Sequence, residues 1–332
     1  MEEGWERSPR LEITLPELSR LTAPAFPGRT ISRFEVITSG LANTNVRFWL
    51  RGQPSSYVFR AYTRDPGAAQ RERDLMQLLV HRAEPPMPLP PLVYAELAPA
   101  GGGPPYSIWG FVDGLLLQDL FKTLAPGELV SIAGACGEVL ASLSKHRFGA
   151  CGAFGPGLTI GLEYGSPSRF VPEMIHAALF QGRAGARLGR HLRDALWRVV
   201  ERTSPLLAEL DGHYTLVHGD YKRSNLLLRP AFAATAPWCV AAVLDWEFAF
   251  AGPPLTDVGL FLRAGKALPV GFSQAFVSGY RAAGGELACD WLPLSRLLDL
   301  VSQMTFLNDE RERPRVFAET TAVVKESIEL LT

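Results

Sequence analysis

The run Leu216-Val217-His218-Gly219-Asp220-Tyr221-Lys222-Arg223-Ser224-Asn225-Leu226-Leu227-Leu228 sets an Asp, a Lys two residues later and an Asn five residues later between two apolar segments. A further apolar segment, 238–244, ends at Asp245-Trp246-Glu247. Short apolar runs bounded by polar loops read as strands. The runs at 226–228 and 240–244 are joined by a short connection holding Pro230 and Pro237, so the simplest pairing is antiparallel. That pairing brings the start of one strand and the end of the other to the same edge. The Asn225 amide oxygen and the Asp245 carboxylate then converge beside the loop that holds Asp220. Hard oxygen ligands of this kind suit Mg²⁺, which takes one or two protein carboxylates and completes its shell with water and phosphate oxygens. Asp220 is left to orient and deprotonate a hydroxyl. A base, a metal held by Asn and Asp, and positive charge on phosphates are what phosphoryl transfer from ATP requires. Glu247 either assists the metal site or pairs with a neighbour.

The ordered set His218, Asp220, Asn225, Asp245-Trp246-Glu247, Gly252 and Asp257 resembles the aminoglycoside phosphotransferase and choline-kinase-like small-molecule kinases, a phosphotransferase family with a protein-kinase-like fold. The resemblance covers residues 30–300. It implies Asp220 as the catalytic base and Asn225 and Asp245 as Mg²⁺ ligands. It also implies His218 and Asp257 as braces of the catalytic loop. Lys222 stands where many small-molecule members carry His; it either reaches the γ-phosphate or is a solvated loop lysine. The cofactors implied are ATP or GTP with Mg²⁺. The acceptor implied is a hydroxyl of a small molecule such as an antibiotic, an amino alcohol or a sugar. The interval from Asp245 to Asp257 is too short for an activation segment that docks a protein chain, which favours small acceptors.

Strands precede helices along the chain, an α+β order. The expected architecture is a bilobal protein-kinase-like fold: a lead-in at 1–30, a small antiparallel-sheet lobe with one main helix at 31–112, and a larger, mostly helical lobe at 113–332. Strands are expected at 33–38, 45–50, 57–62, 92–96 and 106–112. A helix starts at Asp65-Pro66 and runs to about Arg82. The connection between the first two strands, with Ser39, Gly40, Asn43 and Thr44, is expected to meet phosphates through backbone N–H groups and the Asn43 and Thr44 side chains. On the helix, Ala68, Glu72, Leu75 and Leu79 share one face. A carboxylate inside an apolar stripe needs a cation, and Arg60 on the third strand is its natural partner. Lys is usual there in the kinase fold; Arg keeps the charge but brings a planar fork. Asp74 falls on the outer face and reads as solvated. The stretch 106–114 resembles the family's hinge, with backbone groups around Ile108 and Gly110 meeting the adenine edge.

The family binds its acceptor among helices of the second lobe, here around 170–179 and 291–307. Asp299, Asp309, Glu310 and Glu312 could meet a cation, but Arg311, Arg313 and Arg315 are interleaved, which favours a solvated mixed-charge face. Arg183, Arg187, Arg190 and Arg193 read as another solvated face. Trp291, Phe306, Tyr280 and Phe276 leave room for a larger, less charged acceptor. The chain has 332 residues, 33 Lys and Arg against 34 Asp and Glu, and 47% hydrophobic residues. This excludes a disordered chain and argues against nucleic-acid or polybasic membrane partners. Residues 1–10 lack an apolar leader segment and no run of about 18 apolar residues exists. A cytoplasmic monomer or homodimer is expected, with Cys136, Cys151, Cys239 and Cys289 as buried, reduced thiols. The alternative is a nucleotide-binding pseudokinase acting as an interaction module, favoured by Arg60 and the single-glycine loop and opposed by the complete set Asp220, Asn225 and Asp245.

Overall fold

The computed structural model describes residues 11–38, 43–82, 86–231 and 238–332. Helix α1 (Leu15–Thr22) opens with a capping box between Thr14 and Glu17. Strands β1 (Ile31–Ile37), β2 (Thr44–Leu50) and β3 (Ser56–Ala61) follow, then helix α2 (Gly67–Arg82) and strands β4 (Leu92–Glu96) and β5 (Tyr106–Gly110). The five strands form one antiparallel sheet in the order β1-β2-β3-β5-β4. Burial alternates along β2, with Thr44, Val46, Phe48 and Leu50 inside, as the two-residue period of a strand requires. Val46, Phe48 and Leu50 meet Phe59, Ile108 and the Leu18 side chain of α1 in one core. The lead-in is therefore packed onto the first lobe. The opposite face of β3 carries Arg60.

The second lobe begins with β6 (Leu115–Leu116), α3 (Leu117–Leu120) and α4 (Pro126–Leu143). Next come β7 (Arg147–Phe148), β8 (Gly152–Phe154), β9 (Ile160–Glu163), α5 (Pro167–Phe180) and α6 (Ala184–Thr203). Then follow β10 (Tyr214–Val217), β11 (Leu226–Pro230), β12 (Trp238–Val243), β13 (Phe250–Gly252), α7 (Leu255–Phe261), α8 (Phe272–Ala282), α9 (Trp291–Asn308) and α10 (Pro314–Leu331). Two small sheets, β7-β10-β13-β8-β9 and β12-β11-β6, carry the functional loops. On α4, whose spacing puts Ile132, Cys136, Val139, Leu140 and Leu143 on one stripe, all but Val139 are buried, and Val139 packs half-buried against the same core. Helices α4 and α8 cross closely at Gly137 and Gly279, where a Cβ would run into the backbone of Phe276 and of Gly134 respectively.

Helix α2 bridges the lobes: Leu75, Met76 and Leu79 belong to the core shared with the second lobe. Its inward face is the one the periodicity gives, with Ala68, Glu72, Leu75 and Leu79 all buried. Asp74 departs from expectation. It is buried, and its carboxylate accepts from Gln70 Nε2 and from the Gly157 N–H at 2.8 Å. The turn after β8 covers the face that a lone amphipathic helix would leave to water.

Other polar residues are likewise enclosed. Arg187 is not solvated: its guanidinium donates to the Leu307 and Asp309 carbonyls at 2.7 and 2.6 Å, pairs with Glu312, and lies 3.8 Å over the Phe317 ring. Asp299 is buried and held by Arg263 at 2.5 Å, so it is no binding group for a cation. Phe276 and Tyr280 are core residues. Cys136 and Cys151 are buried free thiols, but Cys239 is half-buried and Cys289 exposed. No described helix is long and apolar enough to cross a membrane.

Candidate active site

Strand β10 leads into the loop 218–225, which is braced from below. Asp257, at the start of α7, accepts from the His218 N–H at 2.6 Å and the Gly219 N–H at 3.0 Å. Gly219 has φ +76°, and a Cβ there would strike the Phe248 carbonyl, so the loop can pass only with glycine. His218 Nδ1 accepts from the Asp220 N–H at 3.1 Å, so Nε2 carries the proton and donates to the Leu244 carbonyl at 3.0 Å. Burial pushes the imidazole down to about 4, which keeps it neutral, and the two hydrogen bonds set its tautomer. The Trp246 ring packs against it at 4.5 Å.

The loop ends in a single 3₁₀ turn, Arg223–Asn225, and enters β11. Strands β11 and β12 pair antiparallel with Leu226 opposite Val243. The Leu244 N–H continues the ladder to the Asn225 carbonyl at 2.8 Å, so Asn225 and Asp245 meet at one edge as the sequence implies. Asp245 takes a left-handed conformation, φ +66°, an uncommon one for a residue with a side chain. Asn225 Nδ2 donates to Asp220 Oδ2 at 2.8 Å and to the Asp220 carbonyl at 2.9 Å. Lys222 Nζ lies 3.1 Å from the same Asp220 oxygen. Burial raises the Asp220 carboxyl to about 6; Lys222 opposes the rise.

The first lobe supplies the opposite wall. Arg60 Nη2 contacts Asp245 Oδ1 at 2.7 Å and lies 3.5 Å from both Glu72 Oε1 and Glu247 Oε2. The Arg60–Glu72 pair expected from the sequence exists, but the shortest contact of Arg60 is to Asp245. Burial favours the neutral form of Asp245, yet Arg60 outweighs it and holds the carboxyl below its usual range. Glu72 also accepts from the Tyr62 hydroxyl, which stands 2.9 Å from Ser107 Oγ. Trp109 Nε1 donates to that same Oγ at 2.6 Å. Burial lifts the Glu72 carboxyl to about 7. Glu247, left open between metal and ion pair, is ion-paired: Arg64 Nη2 sits 2.5 Å away and Asn43 Nδ2 donates at 2.9 Å.

Two expectations change. Thr44 is buried, and its Oγ1 accepts from the Leu11 N–H at 2.9 Å, so its side chain ties the lead-in to β2 and does not face a phosphate. Ile108 is a core residue in an interior strand, flanked by Phe59 and Tyr94, and the Gly110 N–H donates to the Pro91 carbonyl at 2.8 Å. The Phe111 N–H is likewise taken, by the Ser56 carbonyl. These two amides are therefore not free to donate to a base edge. Ser39 and Gly40 lie outside the described residues. Sequence reasoning missed Tyr62, Arg64 and Ser107. Tyr62 had a signal, since it shares the Arg60 side of β3; the partner of Arg64 lies 183 residues away, and no spacing marks it.

The raised carboxyls give the nucleotide-free protein a signed pH response. Glu72 and Asp257 each titrate near 7 in the fold, both through burial, against about 4 in an unfolded chain. Their contribution is complete below about pH 4 and is lost as pH rises through 7. His218 has the opposite sign: its contribution is complete above about 6.5 and is lost as pH falls toward 4. From pH 6.5 to pH 8 the carboxyl loss dominates, and stability should drop by about 1 kcal/mol. Thermal unfolding across that interval checks this; a Tm that climbs with pH would count against the buried carboxyls.

Residues 33–292 match the model of the phosphotransferase enzyme family. This chain belongs to that family. Its fold is that of solved aminoglycoside phosphotransferases. The GDP complex of aminoglycoside 2′-phosphotransferase-IIIa aligns with a TM-score of 0.68 at 17% identity, over 96% of this chain and 99% of that one. Aminoglycoside phosphotransferase APH(4)-Ia aligns with a TM-score of 0.66 at 16% identity, over 96% and 98%. Among curated proteins, acyl-CoA dehydrogenase family member 11 of Rattus norvegicus is 27% identical over 243 residues, which are 68% of this chain and 28% of that protein. The Homo sapiens protein of the same name is 26% identical over 226 residues, 66% of this chain and 26% of that one. The chain thus spans about a quarter of the length of these relatives.

Proposed function

We propose that this phosphotransferase-family chain is an ATP- or GTP-dependent kinase that moves the γ-phosphoryl group to a hydroxyl of a small molecule. The observation that carries the reading is the Asp220 carboxylate, gripped by Asn225 and Lys222 on a loop that Asp257 holds by two backbone N–H groups. A carboxylate so fixed, with its basicity raised by burial, can orient an acceptor hydroxyl and take its proton late in an in-line transfer. Lys222 and Arg60 are the positive charges near that point. Solved relatives of the fold bind nucleotides: thermostable mutants of APH(4)-Ia form ternary complexes with ADP or AMP-PNP and hygromycin B, and APH(2″)-IIIa a complex with GDP and kanamycin.

The metal implied by the family fits the residues present. Asn225 and Asp245 offer an amide oxygen and a carboxylate at one strand edge, a hard donor set. Asn225 Nδ2 is committed to Asp220, which leaves its oxygen as the donor, and Asp245 already balances a cation, Arg60. Among the described residues no group of three or more His, Cys, Asp or Glu side chains forms a complete cage. When bound, Mg²⁺ would neutralise charge that develops on the phosphates.

The acceptor is proposed to be neutral or weakly charged. Asp299 is paired with Arg263, Asp309 with Arg311 and Arg313, and Glu312 with Arg187, so these acids are matched within the protein. Helix α5, with Arg169, Glu173 and His176, and α6, with Trp197, line an open groove of about 600 Å³, a lining of mixed charge.

A coupled ADP-release assay over a panel of hydroxyl acceptors, with intact-mass analysis of the products, tests the reading. A product heavier by one phosphoryl group is the expected result. The Arg60–Asp245 contact favours the pseudokinase alternative, in which ATP with Mg²⁺ raises the Tm but no acceptor gains mass.

A further inference from the structure

Glu247 follows Asp245 by two residues, is 4% exposed, and turns its carboxylate toward the other lobe. Oε2 accepts from Asn43 Nδ2 at 2.9 Å, Oε1 meets Arg64 Nη2 at 2.5 Å, and Arg60 Nη2 lies 3.5 Å from Oε2. Its backbone carbonyl accepts from Arg71 Nη2 at 3.0 Å. One residue of the second lobe is thus held by side chains from the β1–β2 connection, from β3, from the turn after β3 and from α2. Both carboxylate oxygens already face nitrogen donors, two of them guanidinium groups. A metal ion brought to this carboxylate would have to displace donors from both of its oxygens, whereas Asp245 meets Arg60 at Oδ1 and Asn225 offers its amide oxygen.

We propose that Glu247 is a positioning residue and not a metal ligand: it clasps the two lobes, setting Asn43 at the end of the β1–β2 connection, and Arg64, over the transfer site. The proposal rests on the kinase reading for its purpose, since that reading puts phosphates beside Asn43. Arg64 is half-exposed and faces the cleft; Arg71 also pairs with Asp65 on its own side of the clasp. The contact joins residues 204 positions apart, so it reports on the relation between lobes and not on local folding.

The test is ATP binding to the full chain, titrated at several Mg²⁺ concentrations. Glu247→Gln should weaken ATP binding roughly tenfold, the scale of one lost charge-assisted contact, while the Mg²⁺ concentration for half-saturation stays where it is in wild type. Arg64→Gln, at a more exposed position that should not impair folding, should weaken binding in the same way. The double variant should bind no worse than Glu247→Gln alone, because both remove one clasp. A Mg²⁺ half-saturation raised tenfold or more by Glu247→Gln would make Glu247 a metal ligand and overturn the proposal; additive effects of the two variants would overturn it as well. Hydrogen exchange of the nucleotide-free protein separates the clasp from the kinase reading. Faster exchange at residues 43–46 in Glu247→Gln upholds the clasp even if wild type takes no ATP, a result that would end the kinase reading alone. Unchanged exchange there overturns the clasp.

Discussion

Asp220→Asn is expected to lower kcat by about 10²–10⁴-fold, the usual contribution of a positioned general base, with Tm and ATP affinity close to wild type. The substitution is nearly isosteric, and an Asn carbonyl oxygen can still accept from Asn225 Nδ2, which bonds Asp220 at 2.8 Å. What disappears is the capacity to take a proton. The same residue sets a pH limb. Burial raises the Asp220 carboxyl to about 6, against Lys222, whose ammonium pulls it back. The group must be ionised to act, so wild-type kcat should fall as pH drops through 6 and level off above 7. The residual rate of Asp220→Asn should lack that limb. Full turnover in the variant, or a wild-type rate indifferent to pH between 5 and 7, would remove Asp220 from the base role.

The geometry of the loop 218–225 was legible because its logic is local. Asp220, Lys222 and Asn225 lie within six positions, and the antiparallel return of β12 follows from a short connection. The α2 face was legible for the same reason: a 3.6-residue period places Glu72 among Leu75 and Leu79 whatever surrounds the helix. The misread residues share a different property. Asp74, Arg187 and Asp299 were read as solvated or as possible ligands because their own elements leave them outward. Each is closed over by a distant segment: Gly157 is 83 positions from Asp74, Leu307 is 120 from Arg187, and Arg263 is 36 from Asp299. Thr44 fails likewise, its hydroxyl taken by Leu11. A charged residue on the far side of an amphipathic helix is solvated only if nothing packs there, and that is a property of the tertiary fold. At the end of β5 the Gly110 and Phe111 N–H groups are likewise taken, by carbonyls of Pro91 and Ser56 that the local sequence does not mark.

Arg60 concentrates the remaining electrostatics. Its guanidinium serves Asp245 at 2.7 Å and Glu72 and Glu247 at 3.5 Å, with 13% of its side chain exposed. Arg60→Met would leave three carboxylates facing one another with only Arg64 and Lys222 nearby. Removing one partner of a buried ion pair costs about 3–5 kcal/mol, because the charge left behind is uncompensated. The penalty should depend on pH with a definite sign. Without the cation the carboxyls titrate higher still in the fold, so the folded state gains protons that the unfolded chain lacks, and stability recovers as pH falls. The Tm deficit of Arg60→Met should therefore be largest at pH 8 and shrink toward pH 5. Arg60→Lys separates charge from shape. A lysine ammonium is a compact point charge without the planar fork; the three carboxylate contacts are all made by Arg60 Nη2, so Lys replaces them if its Nζ, with three donors, reaches the same place. Arg60→Lys should regain most of the lost Tm while ATP binding reports whether the fork itself is needed. If Arg60→Met melts with wild-type at pH 8, the three contacts carry no net stabilisation and the ion-pair account of this cluster fails.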